Sequence, residues 1–112
     1  MKQIEYYIKE NGKCPFQEWL HGLDKSVRVQ VLSRINRLIE EDNYGETRKL
    51  TDNPLSELKF KIGGGIRIYY IDLNDVLVLF LSGGDKSNQK NDAAKAEQYY
   101  RDYIERLKTN ER

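Results

Sequence analysis

Cysteine is almost absent from this chain. Cys14 stands alone, so no disulfide can close within it, and with His21 as the sole histidine there is no Cys/His cluster to hold a metal. No apolar run reaches the roughly 18 residues a bilayer demands. The opening MKQIEYYIKENGK lacks the apolar core of a signal peptide. An excess of one charge is missing too: 19 Lys and Arg face 18 Asp and Glu, a net charge of +1. Bulk charge therefore draws no polyanion to the protein. Repeats, low-complexity tracts and linkers are also lacking. What remains is a cytoplasmic protein away from the membrane, with no cofactor and no metal. Its 112 residues, 38% hydrophobic and 33% charged, predict one domain over 1–112 with a modest core.

The pattern along the chain then supplies the elements. Ile4, Tyr6 and Ile8 alternate with polar residues and predict a strand that stops at Asn11-Gly12. Pro15 opens a short helix whose Phe16, Trp19, Leu20 and Leu23 read as core. Asp24 or Ser26 caps a second helix, in which Val27, Val31, Leu32, Ile35, Leu38 and Ile39 make an apolar stripe and Arg34 and Arg37 lie on the polar side. A loop follows through Lys49 and Pro54. Residues 76–81, VLVLFL, are apolar on both sides and predict a central strand covered on both faces, broken by SGGDKS at 82–87. A final helix presents Ala93, Ala96, Tyr100, Tyr103, Ile104 and Leu107, with Tyr99 at the margin. The expected fold is α+β in the order β-α-α-β-β-β-α, a mainly antiparallel sheet with two N-terminal helices and a C-terminal one.

Between the loop and the central strand lies LKFKIGGGIRIYY, residues 58–70. Two alternating stretches flank three glycines, the signature of a hairpin whose turn needs positive φ. A turn at Gly63, Gly64 and Gly65 pairs Ile62 with Ile66 and Phe60 with Ile68. It also sets Lys61 opposite Arg67 and Lys59 opposite Tyr69. Like charges directly across a strand pair repel, and an anion between them reverses the sign. Arg67 and Lys61 are thus candidate phosphate ligands, arginine offering paired donors. Gly83 and Gly84 would turn the backbone off the central strand and bare its amides before a helix N-terminus, with Lys86 projecting beside it.

The order of elements, the Glu57-Leu58-Lys59 opening, GIRIYY at 65–70 and LSGGDKS at 81–87 resemble the RelE/ParE toxin superfamily. The likeness is to its HigB-like branch of addiction module killer proteins and runs from about residue 4 to 96. It implies the toxin of a type II toxin–antitoxin module, partnered by a helix-turn-helix antitoxin and acting on mRNA at the ribosome as a metal-independent endoribonuclease. By the same likeness Arg67, Lys59 and Lys61 contact the scissile region, and Lys86 stabilises the charge developing on the cleaved phosphate. Glu57 is the candidate base, Tyr69 the candidate for stacking on or hydrogen-bonding to RNA, and Gly84 the candidate for phosphate binding. Several relatives carry Tyr or His shortly after the basic residue. Here 87–92 reads SNQKND, which leaves Asp92, Gln89 and Lys90. The superfamily also contains gyrase inhibitors that act by protein binding, so a gyrase-directed toxin and an inactive antitoxin-binding member stand as alternatives. His21 and Cys14 lie away from this constellation.

Overall fold

A computed structural model describes residues 1–110. In chain order it contains β1 (Gln3–Tyr6), α1 (Pro15–His21), α2 (Lys25–Glu41), β2 (Thr47–Lys49), β3 (Ser56–Lys59), β4 (Arg67–Asp72), β5 (Leu77–Gly84), a 3-10 turn (Lys86–Asn88) and α3 (Gln89–Asn110). The class is α+β, as the pattern predicts, but the order is not. A fifth strand, β2, forms where a loop was expected. It pairs antiparallel with β3 through Thr47 to Leu58 and Arg48 to Glu57. The sheet runs β1-β5-β4-β3-β2, with β1 parallel to β5 and the remaining pairs antiparallel. None of the described helices is long and apolar enough to cross a membrane.

Two cores lie on opposite faces of this sheet. On one, Phe16 and Leu20 of α1 and Val31, Ile35 and Leu38 of α2 bury against Leu58, Ile68, Tyr70, Val78 and Phe80. On the other, Ala96 of α3 packs with Tyr7, Tyr69, Ile71, Leu79 and Leu81. Strand β5 supplies alternate residues to both, which is why its apolar run has no polar side. Leu32, assigned to the α2 stripe, is 47% exposed, because it falls off the arc that Val31, Ile35 and Leu38 share at the helical period. Helix α2 ends with Asp42 in the left-handed region (φ 56°), its N–H donating to the Leu38 carbonyl at 3.1 Å. Just past the end of β1 the expected inward residue Ile8 is 50% exposed, while Tyr7 is 3% exposed. Tyr7 stacks on Tyr99 at 4.9 Å, which sets Tyr99, half-buried, at the margin of the second core.

The hairpin register is displaced by two residues from the expected one. Leu58 pairs with Ile68 and Lys59 with Arg67, and the ladder closes where the Phe60 N–H donates to the Ile66 carbonyl at 2.9 Å. Gly63, Gly64 and Gly65 do carry positive φ, at 57°, 77° and 83°, but Lys61 and Ile62 join them in the loop. A shift of two keeps every side chain on its face, so hydrophobic alternation alone cannot distinguish the two registers.

SGG does not break β5 either. Gly83 pairs with Ile68 and Gly84 with Arg67, after an irregularity that leaves Leu81 unpaired between Ser82 and Phe80. Gly83 makes room for Trp19: a Cβ there would lie 2.4 Å from the indole Cδ2. Gly83→Ala is therefore expected to destabilise the fold by about 1–3 kcal/mol through overpacking, with Trp19→Leu recovering part of the loss. Urea unfolding of the single and double variants checks this; an additive double variant would show that Trp19 is not what the glycine accommodates.

Candidate functional site

Beyond the end of the second core, the α3 face of the sheet turns polar. Strand alternation puts Glu57, Arg67 and Tyr69 on that face, and the two-residue register shift leaves them there; Ser82 joins them because the irregularity at Leu81 pairs it with Tyr69. Glu57 and Tyr69 are fully buried, and Arg67 and Ser82 are each 9% exposed. Glu57 Oε1 accepts from Arg67 Nη1 at 3.1 Å and pairs with Arg48 Nη2 at 3.1 Å. One buried carboxylate thus ties together β2, β3 and β4. The set is not satisfied internally: Glu57 Oε2, Arg67 Nε and Ser82 Oγ are all buried without a hydrogen-bond partner. Such atoms each cost about 1–3 kcal/mol when left unpaired, so three together mark a corner that further hydrogen-bond partners would complete.

The start of α3 closes over this cluster. Tyr69 Oη donates to the Gln89 carbonyl at 3.3 Å. Burial, reinforced by the charges of Glu57 and Asp92, pushes its phenol up to about 12. Asp85 caps the 3-10 turn, accepting from the Ser87 N–H at 2.9 Å. Lys86 is exposed, and its N–H reaches the Gly64 carbonyl at 3.4 Å, which brings the turn against the hairpin loop. Asp92 is half-buried. Its carboxylate occupies the space a side chain at Gly84 would need, since a Cβ there would lie 2.1 Å from Oδ2. Desolvation, with Asp85 nearby, raises its carboxyl above the usual aspartate range.

The expected constellation is brought together only in part. Arg67, Glu57, Tyr69, Gly84 and Lys86 converge on one corner, and Lys59 stands opposite Arg67. Lys61 does not face Arg67. It lies exposed in the loop and, with Lys59, Arg34 and Arg37, lines a separate cleft of about 480 Å³ beside α2. The charge of Arg67 is therefore answered by a carboxylate, Glu57, rather than by a missing anion. Three further roles change. Glu57, sealed from solvent and shared by two guanidiniums, is placed to hold Arg67 rather than to act as an exposed base. Tyr69 is buried and bonded to α3, so it offers no face for stacking. Gly84 is a strand residue that admits the Asp92 carboxylate, not a turn that bares amides. Arg34, read as a polar-face residue, donates to the Tyr44 carbonyl at 2.9 Å and the Lys59 carbonyl at 2.6 Å, and also to Glu46. His21 and Cys14 lie elsewhere, His21 at the exposed end of α1.

No family model matches the chain. An uncharacterized protein of Haemophilus influenzae is 37% identical to it over 82 residues, covering 72% of this chain and 81% of that protein. The chain belongs to that protein's family. The relative's description carries no activity, so the roles of the residues rest on their geometry. Arg48 and Ser82 were not anticipated there. Arg48 sits on β2, whose exposed residues carry no apolar signal, and Ser82 opens SGGDKS, which the pattern predicts as a break, whereas the structure keeps Ser82 in β5.

Glu57→Ala is expected to cost about 3–5 kcal/mol, because it strands the buried Arg67 guanidinium. Arg48→Ala should cost less than about 1 kcal/mol, since its side chain is 54% exposed. Chemical denaturation separates the two; equal costs would show that the buried pair is not what holds this corner.

Proposed function

We propose that the protein is the toxin of a type II toxin–antitoxin module, a member of the HigB-like branch of the RelE/ParE superfamily, and that it cleaves mRNA on the ribosome. The observation that carries this reading is that Arg67 Nε and Ser82 Oγ, on neighbouring positions of the β4–β5 ladder, are both buried without a partner, with the exposed Lys86 two residues past Gly84, the ladder partner of Arg67. Two unsatisfied donors next to a cation form a set that a phosphate oxygen would complete. The two helices on one face of a small, mainly antiparallel sheet agree with the resemblance drawn from GIRIYY and LSGGDKS.

On this reading the 2′-hydroxyl of the RNA attacks the adjoining phosphate, which Arg67 and Ser82 hold and Lys86 neutralises as charge develops. Glu57 fixes the direction of Arg67, and Lys59 adds positive potential across the ladder. A helix-turn-helix antitoxin is the partner, and masking this corner with acidic residues would silence it.

The test is primer extension on a defined, translated mRNA after induction, comparing wild type with Lys86→Ala and Arg67→Lys. Lys86 is exposed, so its loss leaves folding intact. Losing one charge-assisted contact of about 1.5–3 kcal/mol should reduce cleavage about tenfold to 150-fold. Cuts in the coding region that fade in both variants support the proposal. Growth arrest with intact mRNA and gyrase-dependent DNA breaks would overturn it in favour of a gyrase-directed toxin.

A further inference from the structure

The reaction proposed above needs a group to take the proton of the attacking hydroxyl. Glu57 is unsuited to it: the side chain is fully buried and its Oε1 is shared between Arg48 and Arg67. We infer that the Asp92 carboxylate is the general base of this site, an assignment that rests on the ribonuclease reading.

Three observations converge on it. Asp92 is half-buried, so part of it meets solvent at the edge of the unsatisfied cluster. Its carboxylate is seated over Gly84, the residue paired in the ladder with Arg67, so base and phosphate ligand meet the sheet at one ladder position, from α3 and from β4. The seat exists only because residue 84 has no side chain. Meanwhile the Tyr69–Gln89 bond clamps the start of α3 to the sheet, giving the carboxylate a fixed position. Arg67 Nε and Ser82 Oγ, each on a residue about nine-tenths buried on the same β4–β5 ladder, supply the unpartnered donors.

Asp92 is surrounded by groups from each neighbouring element. Asp85 approaches from the end of β5 and Lys95 from α3. Asn88 Nδ2 of the 3-10 turn lies 3.4 Å from Oδ1. Tyr69 of β4 senses its charge, with Arg67 next to it. Desolvation is the largest influence and Asp85 the next, and together they make the carboxylate a stronger base than a free aspartate. In the step itself the 2′-oxygen passes its proton to Asp92 as it bonds to phosphorus, and the bond from phosphorus to the 5′-oxygen breaks. That oxygen takes a proton from surrounding water, and Asp92 later returns its own. The products are a 2′,3′-cyclic phosphate and a 5′-hydroxyl.

The test is single-turnover cleavage of a defined mRNA on programmed ribosomes, for wild type and Asp92→Asn between pH 6 and 9. The wild-type rate should be level once the carboxylate is ionised. The variant should fall by about 10²–10⁴-fold and rise about tenfold per pH unit, hydroxide having replaced the side chain. The variant's thermal midpoint serves as the fold control. A carboxyl raised in the folded state contributes stability below its unfolded value and loses it as pH rises through the folded value. Removing the charge at pH 7 is therefore expected to leave the midpoint equal or higher. A folded Asp92→Asn with the wild-type profile, whatever its rate, overturns the assignment and leaves the ribonuclease reading standing. Absence of cleavage by the wild type overturns both.

Discussion

Strand β5 is covered on both faces, and most of the molecule is arranged to satisfy that condition. Val78 and Phe80 need α1 and α2 above them, while Leu79 and Leu81 need α3 below. Each exposed core residue of this size would forfeit about 1.5–3 kcal/mol of burial, so neither layer is dispensable. The strand must then leave the core without losing its ladder. It does so through Ser82, Gly83 and Gly84, which keep their backbone pairing with β4 while presenting almost no side chain. On one face that absence admits Trp19, on the other Asp92. The polar corner is thus where a doubly buried strand runs out of apolar residues.

The chemistry of that corner follows from its burial. Arg67 enters a dry environment only because Glu57 answers its charge, and Arg48 shares the same carboxylate from a more exposed position. A buried pair of this kind is a poor stabiliser, because desolvation offsets much of the attraction. Its more evident effect is to aim a guanidinium whose Nε has no internal partner. The raised carboxyl of Asp92 shows the same low-polarity surroundings acting on the other side of the corner.

The membership of this corner was legible in the sequence more fully than its roles. Period-two alternation placed Glu57, Arg67 and Tyr69 on a common face, and a register error of two residues could not disturb that placement. Alternation carries no information on depth, however. The lysines and arginine of the hairpin read alike as solvent-facing cations, yet Lys61 is exposed and Arg67 is nearly sealed. What separates them is the register: Lys61 falls in the hairpin loop, whereas Arg67 stays in the ladder between β3 and β5 and meets the Glu57 carboxylate. Strand β2 was missed for a related reason: Thr47, Arg48 and Lys49 are all exposed and carry no apolar signal. They form a strand because β3 offers them an open edge.

By itself the sequence determined the α+β class, the helices that follow Pro15 and Asp24, the double burial of the VLVLFL run and the positive-φ turn at 63–65. These depend on local backbone preference and on hydrophobic periodicity, both of which act over a few residues. The tertiary structure alone decided the register of the hairpin, the strand status of Gly83 and Gly84, the capture of Arg67 by Glu57 and the approach of Asp92 to Gly84. Each of these is a contact between segments distant in the chain. Their energies depend on which surfaces meet and how much water is excluded, quantities that do not exist until the two layers have closed on the sheet.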